Sequence, residues 1–278
     1  MKRGRQVRLT PSLGRFALWA FCGFVFAYLI FPILIVIPMS FSSAPYAIFP
    51  PPGLSLRWYN SYLGSYQWLR ATALSFEVGA LTALISIVLG TPAAFALVRG
   101  RFAGKDLLNT FLILPLVVPT IIVAIALYSL FADLYLIGTV SGLVLAHTLL
   151  AAPLVVIIVS STLKGDDRSL ERAAMSLGAT PWRTFVHVTL PLVQQGVWSA
   201  AIIAFITSFD EVVIAIFITG SSAITLPRQM WDGVRTEIDP TIAAVSSLLV
   251  GMSIVVLGLV FLMARWVELS RERRVGQI

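Results

Sequence analysis

Charged residues are scarce in this 278-residue sequence, and their scarcity decides its broad class. Only 12% of the residues are charged, whereas 58% are hydrophobic, so the chain has too little polar surface to cover a soluble globule. We therefore expect it to lie in a lipid bilayer. The net charge of +7 does not indicate nucleic-acid binding, because the basic residues are scattered over separate segments and form no single stripe.

Cysteine and histidine are also scarce. The single cysteine, Cys22, lies in a hydrophobic run, which excludes an intrachain disulfide and a cysteine metal cluster. His147 lies alone in another apolar run, where we expect a packed, hydrogen-bonded residue and not a proton relay. His187 belongs to a polar insert described below. The sequence therefore predicts no metal site and no cofactor on this chain.

Catalytic motifs are missing as well. A phosphate-binding loop needs Gly, four residues and then Gly-Lys-Ser/Thr, and the nearest string, Gly100 to Asp106, has the wrong spacing and ends in an acid. There is no Gly-x-Ser-x-Gly elbow, no His-Glu-x-x-His and no paired Cys and His. We expect a chain that is not an enzyme and that does not itself hydrolyse ATP.

Long apolar runs are what the sequence does have. A helix needs about 20 apolar residues to cross the hydrocarbon core, and runs of this kind cover residues 16–41, 72–98, 107–131, 139–163, 191–219 and 241–266. The first is about twice as long as the apolar part of a signal peptide, so we expect it to be retained. The prediction is an all-α, polytopic membrane protein with six transmembrane helices.

Lysine and arginine predict the orientation of these spans. With the N-terminus in the cytoplasm, the opposite side receives only Arg57, Arg70, Arg228 and Arg235 of the 20 basic residues, as the positive-inside rule requires. Both termini are then cytoplasmic. The predicted organisation is a cytoplasmic segment at 1–15, a six-span domain at 16–266 that includes a cytoplasmic insert at 164–190, and a cytoplasmic tail at 267–278.

The insert has the pattern of two short helices. Apolar residues recur at i, i+3, i+4 and i+7 from Leu170 to Leu177, which places them on one helix face. Gly178 is suited to end this helix in a left-handed conformation. Thr180 and Pro181 then provide the cap and first residue of a second helix. The spacing predicts a compact docking surface between two spans, with an ordinary amphipathic interfacial loop as the alternative.

Ala173-Ala174, Gly178, Val188 and Leu190-Pro191 have the spacing of a motif that reads Glu-Ala-Ala, three residues, Gly, nine residues, an aliphatic residue, one residue, Leu-Pro. In this the insert resembles the "EAA" loop of permease subunits of ATP-binding-cassette (ABC) importers of type I. The motif's first position holds Arg172, and Glu171 precedes it. The resemblance implies a coupling helix in a groove of a separate ATPase, which would bind ATP and Mg. It also implies a homologous permease partner, an extracytoplasmic solute-binding protein and a place in the bacterial inner membrane. The coupling residues would be Glu171, Ala173, Ala174, Gly178, Ala179, Val188, Leu190 and Pro191.

Acidic residues inside the apolar runs are candidates for a pathway, because a charge in lipid is costly. They are Glu77, Asp210 and Glu211. Adjacent helical residues point about 100° apart, so we expect either Asp210 or Glu211 to line a path and the other to hydrogen-bond a neighbouring helix. The alternative is that the acids bind a partner permease, and both interpretations stay open.

Segments 51–59, 208–213, 217–220 and 225–227 resemble those of spermidine/putrescine-type permeases. The resemblance implies a cationic solute, a polyamine, for which the acids would replace hydration and Phe205 and Phe209 would offer cation–π contacts. Alternatives are another small solute, such as an opine or an amino-acid-like compound, an ion-coupled secondary transporter, and a membrane enzyme. A secondary transporter would usually show internal repeats, and the sequence has no convincing one.

Overall fold

The computed structural model describes residues 13–165, 168–236, 239–255 and 258. Within these ranges the chain is helical, and the only β feature is an isolated antiparallel bridge between Ser42 and Leu54. The all-α prediction is confirmed. The helices are α1 (Leu13–Ser40), α2 (Arg57–Gly64), α3 (Tyr66–Arg99), α4 (Lys105–Val117), α5 (Thr120–Asp133), α6 (Val140–Gly165), α7 (Arg168–Ser176), α8 (Pro181–Thr184), the π-helix π1 (Phe185–Thr189), α9 (Leu190–Phe209), α10 (Val213–Ile218), α11 (Leu226–Thr236) and α12 (Thr241–Val255).

Four helical segments of the described chain are long and apolar enough to cross a membrane. They are α1, α3, α6 and the continuous stretch Pro181–Phe209. The described part of α12 is shorter than a span, and the rest of the predicted 241–266 run, apart from residue 258, lies outside the described residues. The same is true of residues 1–12 and of the predicted tail at 267–278.

The third predicted span, 107–131, is not one helix. It consists of α4 and α5, whose axes differ by 101°. The physical reason is Pro119, which disfavours the helical conformation of the residue before it. Val118 is accordingly extended, with φ −73° and ψ 132°. Counting the bent pair as one span gives up to five spans among the described residues.

The fifth predicted span, 191–219, is also broken. α9 ends at Phe209 and α10 begins at Val213, so that Asp210 and Glu211 lie between two helices and not inside one. The Glu211 carboxylate accepts a hydrogen bond of 3.0 Å from the backbone N–H of Ile214. A side-chain acceptor of this kind offers the backbone an alternative to continuing the first helix.

The chain divides into two compact units. The first unit contains the described residues up to 65 and from 233 onward. In it the ring of Tyr59 on α2 lies 5.1 Å from that of Phe41, and its hydroxyl lies 2.7 Å from the Ser40 hydroxyl. The most apolar stretch of α1 has no buried residue. In this unit, therefore, α2 is attached to the end of α1 and the residue after it by an aromatic contact and a hydroxyl hydrogen bond.

The second unit, residues 66–232, is built around α3, α6 and α9. Glycines allow these helices to approach closely, as small residues do in membrane bundles. A Cβ added at Gly90 would lie 2.8 Å from the side chain of Val155, and one at Gly79 would lie 2.8 Å from the ring of Phe205. Near the other end of α9, Gly196 packs directly against the side chain of Thr162.

One interhelical hydrogen bond lies inside this three-helix core. His147 on α6 is 1% exposed, and its Nδ1 lies 2.8 Å from Oγ of the buried Ser208 on α9. His147 is therefore the packed, hydrogen-bonded residue that the sequence predicts. α5 and α10 extend the core through a cluster that includes Phe131, Leu143, Ile214 and Ile218.

Candidate functional site

The insert between α6 and α9 is fixed at its centre by a helix C-cap. Gly178 has a φ of +87°, and its N–H donates to the Met175 carbonyl at 3.0 Å. The N–H of Ala179 donates to the Ala174 carbonyl at 3.1 Å. These two bonds form a Schellman motif, in which a left-handed glycine ends the helix. Three of the predicted coupling residues, Ala174, Gly178 and Ala179, thus meet in one turn.

The second helix of the insert begins as predicted. The Thr180 side chain accepts a hydrogen bond from the N–H of Arg183 at 3.3 Å, and Pro181 occupies the first turn. α8 continues through π1 into α9 without a break, because Thr189 and Leu190 both have helical dihedral angles. The sequence did not indicate the π-helix, which often occurs at functional sites. The insert is consequently rigidly continuous with α9.

Several large apolar side chains of the insert are exposed. Leu177 is 89% exposed and Trp182 71% exposed, and Leu170 and Met175 are also exposed. Ala173 is exposed, whereas Val188 is half-buried. Large apolar side chains at this density on a polar segment are typical of a surface that binds a partner.

Glu171 behaves differently from the exposed residues around it. Its Oε1 lies 3.0 Å from Nη2 of Arg99, the last residue of α3, and both side chains are 17% exposed. The hydroxyl of Thr189, at the end of π1, donates to the same oxygen at 3.1 Å. Arg172 at the next position is exposed. Sequence reasoning missed Arg99 and Thr189, because no local pattern joins Glu171 to residues 72 and 18 positions away.

An aromatic contact lies one helical turn before Arg99. The ring of Phe95 on α3 packs edge-to-face against Phe185 of π1, with centroids 5.1 Å apart. Phe185 is in turn stacked on Trp182 at 5.7 Å. Residues four apart share a helix face, so Phe95 and Arg99 present one side of the end of α3 to the insert.

A second aromatic group joins α3 to α9 at their other ends. Phe76, Phe205 and Phe209 form a trio with centroid distances of 5.9 Å for Phe76–Phe205, 5.2 Å for Phe76–Phe209 and 5.7 Å for Phe205–Phe209. Phe76 was not identified from the sequence, although it precedes the candidate Glu77. Two rings of the trio are sequence neighbours of acidic candidates: Phe76 precedes Glu77, and Phe209 precedes Asp210.

The three acidic candidates have different surroundings. Glu211 is half-buried and caps α10, as described above. Glu77 and Asp210 are exposed. Neither has a hydrogen bond or ion pair from its carboxylate to another residue of the described ranges. The expected division of roles within the Asp210-Glu211 pair therefore stays a prediction, with Glu211 already engaged by the backbone.

A polar cavity of about 310 Å³ lies beside the first turn of α3. Arg70 projects to it, and its Nη2 donates to the Ser222 carbonyl at 3.3 Å. The Ser222 hydroxyl donates to the Gly138 carbonyl at 2.7 Å, which holds this loop in place. The cavity is lined by Tyr66, Gln67, Arg70, Ala71, Ser221, Ser222, Ile224 and Gln229. Its donors suit an anionic or carbonyl-bearing group.

Comparison with known sequences identifies the family. The sequence model of the family described as "Binding-protein-dependent transport system inner membrane component" matches residues 86–273, which is more than half of the chain. The chain belongs to this family. It is therefore a multi-pass permease subunit of the inner membrane and belongs to a binding-protein-dependent transport system.

Three similar proteins are also named as transport permeases. The putrescine transport system permease protein PotI of Escherichia coli K12 is 37% identical over 265 residues, covering 92% of each chain. The spermidine/putrescine permease PotC of the same strain is 31% identical over 243 residues, covering 87% of this chain and 92% of its own. The trehalose permease SugB of Mycobacterium tuberculosis is 34% identical over 173 residues, covering 61% and 63%.

A solved structure supports the fold of this family member. A crystal structure of a bacterial ABC transporter involved in import of the acidic polysaccharide alginate contains a chain with a TM-score of 0.72 and 15% identity. The match covers 92% of this chain and 96% of that chain. At this identity the comparison establishes the shared fold.

Within the described residues, no group of three or more His, Cys, Asp or Glu side chains could hold a metal ion.

Proposed function

We propose that this permease subunit carries a polyamine of the putrescine or spermidine class inward, in an importer driven by a separate ATPase. The observation that carries the proposal is the 37% identity to a putrescine permease over 92% of both chains. The exposed, unpaired carboxylates of Glu77 and Asp210 beside the aromatic trio support it. At neutral pH a polyamine has at least two positive charges, which carboxylates and aromatic faces can stabilise outside bulk water.

A neutral sugar is the second candidate solute, because a trehalose permease is 34% identical over 61% of this chain. A sugar would need hydrogen-bonding side chains more than carboxylates. Exposed acids without a partner are costly in a membrane domain unless a cation or a second subunit neutralises them. Glu77 and Asp210 therefore favour the cationic solute over the sugar.

The insert is proposed to be the site at which the ATPase binds. Its exposed side chains Leu177 and Trp182 offer an apolar patch, and the exposed Arg172 and Arg183 add positive charge around it. ATP and Mg would be held entirely by that partner. The termini and the insert would then be cytoplasmic, as the distribution of basic residues predicts.

The opposite side of the membrane is proposed to receive a solute-binding protein. The cavity at Arg70 is the best candidate contact there, because a guanidinium with neighbouring amides is suited to a carboxylate of an incoming protein. A homologous permease would complete the pathway. If such a pairing covers the exposed side chains of Glu77 and Asp210, these acids serve assembly, so they need a test that separates solute transport from assembly.

The test is uptake by reconstituted importer. The complete complex, with both permeases, the ATPase and the binding protein, is placed in vesicles and supplied with labelled putrescine, spermidine or trehalose. We expect ATP-dependent uptake of the polyamines. Glu77→Gln and Asp210→Asn should each lower it about tenfold, since each removes one charge-assisted contact, while the partner permease still co-purifies.

Asp133→Asn is the matched control, because Asp133 is an exposed acid at the end of α5, a helix that contributes none of the three rings of the aromatic trio. It should leave uptake unchanged. Uptake of trehalose in place of polyamine would overturn the proposed solute. Equal loss of uptake and of the partner permease in the Glu77 and Asp210 variants would show that these acids serve assembly instead.

A further inference from the structure

We infer that Glu171 is a positioning residue of the importer, which ties the ATPase-binding insert to α3 through Arg99 and so makes α3 and α9 move together. The inference rests on the proposed coupling function of the insert. It assigns Glu171 a role inside this chain, whereas the motif resemblance suggests only a surface that faces the ATPase. We call Arg99, Glu171 and Thr189 the latch.

Chain continuity joins the insert to only one of the two helices. α8, π1 and α9 follow one another without a break, so a displacement of the insert reaches α9 directly. α7 packs against α8 and π1. α3 is distant in sequence and has no chain connection to the insert. Its apolar face packs against α6 and α9, and the latch adds a polar contact that joins its last residue directly to the insert.

One carboxylate oxygen holds three elements. Oε1 of Glu171 on α7 accepts from Nη2 of Arg99 on α3 at 3.0 Å and from Oγ1 of Thr189 on π1 at 3.1 Å. Arg99 and Glu171 are each 17% exposed, so water screens their attraction only in part. A charge-assisted contact with this geometry has directional strength that a flexible surface ion pair lacks.

A second contact prevents rotation about the latch. Phe95 lies one turn before Arg99 on the same face of α3 and packs against Phe185 of π1 at 5.1 Å. Two contacts one turn apart fix both the position and the direction of the end of α3. At the opposite ends of the same helices, the aromatic trio joins Phe76 of α3 to Phe205 and Phe209 of α9.

The two ends together define the mechanical role. Because α3 and α9 are joined by the latch near the insert and by the aromatic trio far from it, a push on the insert displaces both as one body. Without the latch, the last turn of α3 would be held to the moving helices by apolar packing and the Phe95–Phe185 contact alone, and its position relative to the insert would be less well defined. The exposed acid Glu77 lies on α3, and the exposed Asp210 directly follows the end of α9, so the geometry of the proposed pathway depends on this joint movement.

Charge reversal tests the latch. In the complete reconstituted importer, Arg99→Glu and Glu171→Arg are made singly and together, and polyamine uptake is measured per ATP hydrolysed. Each single reversal should lower this ratio about tenfold, the effect of losing one charge-assisted hydrogen bond and gaining a like-charge contact. The double reversal restores the pair in the opposite sense and should recover the ratio to within about threefold.

The control is Arg101→Glu, which makes the same charge change two residues from Arg99 at an exposed position and should leave the ratio unchanged. Co-purified ATPase and the thermal midpoint of the complex should be similar in all variants, since a purely structural defect would lower these first. Single reversals that keep the wild-type ratio, or a double reversal no better than the singles, would overturn the latch while leaving the proposed function intact. A wild-type complex that retains no ATPase would overturn the proposed function, and the latch with it.

Discussion

Replacement of Gly178 offers the most direct test of the insert as a docking element. The left-handed conformation costs a residue with a Cβ roughly 1–2 kcal/mol, and a β-branched residue is an outlier there. A Cβ at Gly178 would have no atom within 4 Å, so no clash adds to this cost. Asn visits the same region readily. We therefore expect Gly178→Asn to disrupt the turn least, Gly178→Ala more, and Gly178→Val most.

The effect should appear as weaker binding of the proposed ATPase. If relief of strain opens the C-cap, the bonds from Gly178 and Ala179 are lost and α7 is no longer held in its bound position. A cost of about 1.4 kcal/mol shifts the equilibrium between the closed and the open cap about tenfold, and so lowers the competent fraction, and with it the affinity, by up to about tenfold. We expect this for Gly178→Val and less than about threefold for Gly178→Asn, measured by titrating labelled ATPase onto the solubilised permease pair.

Gly104 is the matched control for Gly178. It has a φ of +82° and also has no atom within 4 Å of an added Cβ, yet it precedes α4 and not the end of α7. Gly104→Val should therefore carry the same backbone strain without loss of ATPase binding. Wild-type affinity in Gly178→Val, or an equal loss in Gly104→Val, would refute the reasoning.

Two further variants test the other contacts. Glu211→Ala removes the acceptor of the Ile214 N–H and should lower the free energy of unfolding by about 1 kcal/mol, or the thermal midpoint of the purified chain by roughly 2 °C. Glu211→Gln keeps an oxygen acceptor and should lose less stability, so equal losses in the two variants would argue against capping. Arg70→Ala should lower the affinity of the permease for the proposed solute-binding protein about fivefold at low salt and little at high salt, as expected for an exposed charge. Arg70→Lys should bind it nearly as well as wild type. A loss of affinity that is independent of salt would argue against a charge contact.

The sequence predicted the insert better than it predicted the spans. Gly178 and the Thr180-Pro181 pair signal their turns locally, because left-handed geometry and helix capping depend on a few adjacent residues. The break at Pro119 was visible as a proline, but its angle of 101° depends on what the two helices pack against. The break at Asp210 had no such marker, since hydropathy alone continues through residues 191–219.

The latch and the aromatic trio could not be predicted from local sequence patterns either, because both depend on which helices pack together. Phe95 and Arg99 look like the ordinary end of a span, and only the packing of α3 beside the insert brings them to Phe185 and Glu171. Phe76 likewise meets Phe205 only because Gly79 lets α9 approach. The two contacts therefore depend on helix pairing, which the hydrophobic pattern of each helix leaves undetermined.

The close packing of α3, α6 and α9 limits how the bundle can change shape. Val155 fills the space at Gly90, and Thr162 fills the space at Gly196, so sliding one helix along another would drive these side chains into backbone. Packed interfaces of this kind change by rigid movement of whole groups and not by gradual shear of every contact. The helix breaks at Pro119 and Asp210 lie at the borders of this group, on α4–α5 and between α9 and α10. Alternation between two states is therefore expected to rotate α3, α6 and α9 as a block, with the chain bending at those two breaks.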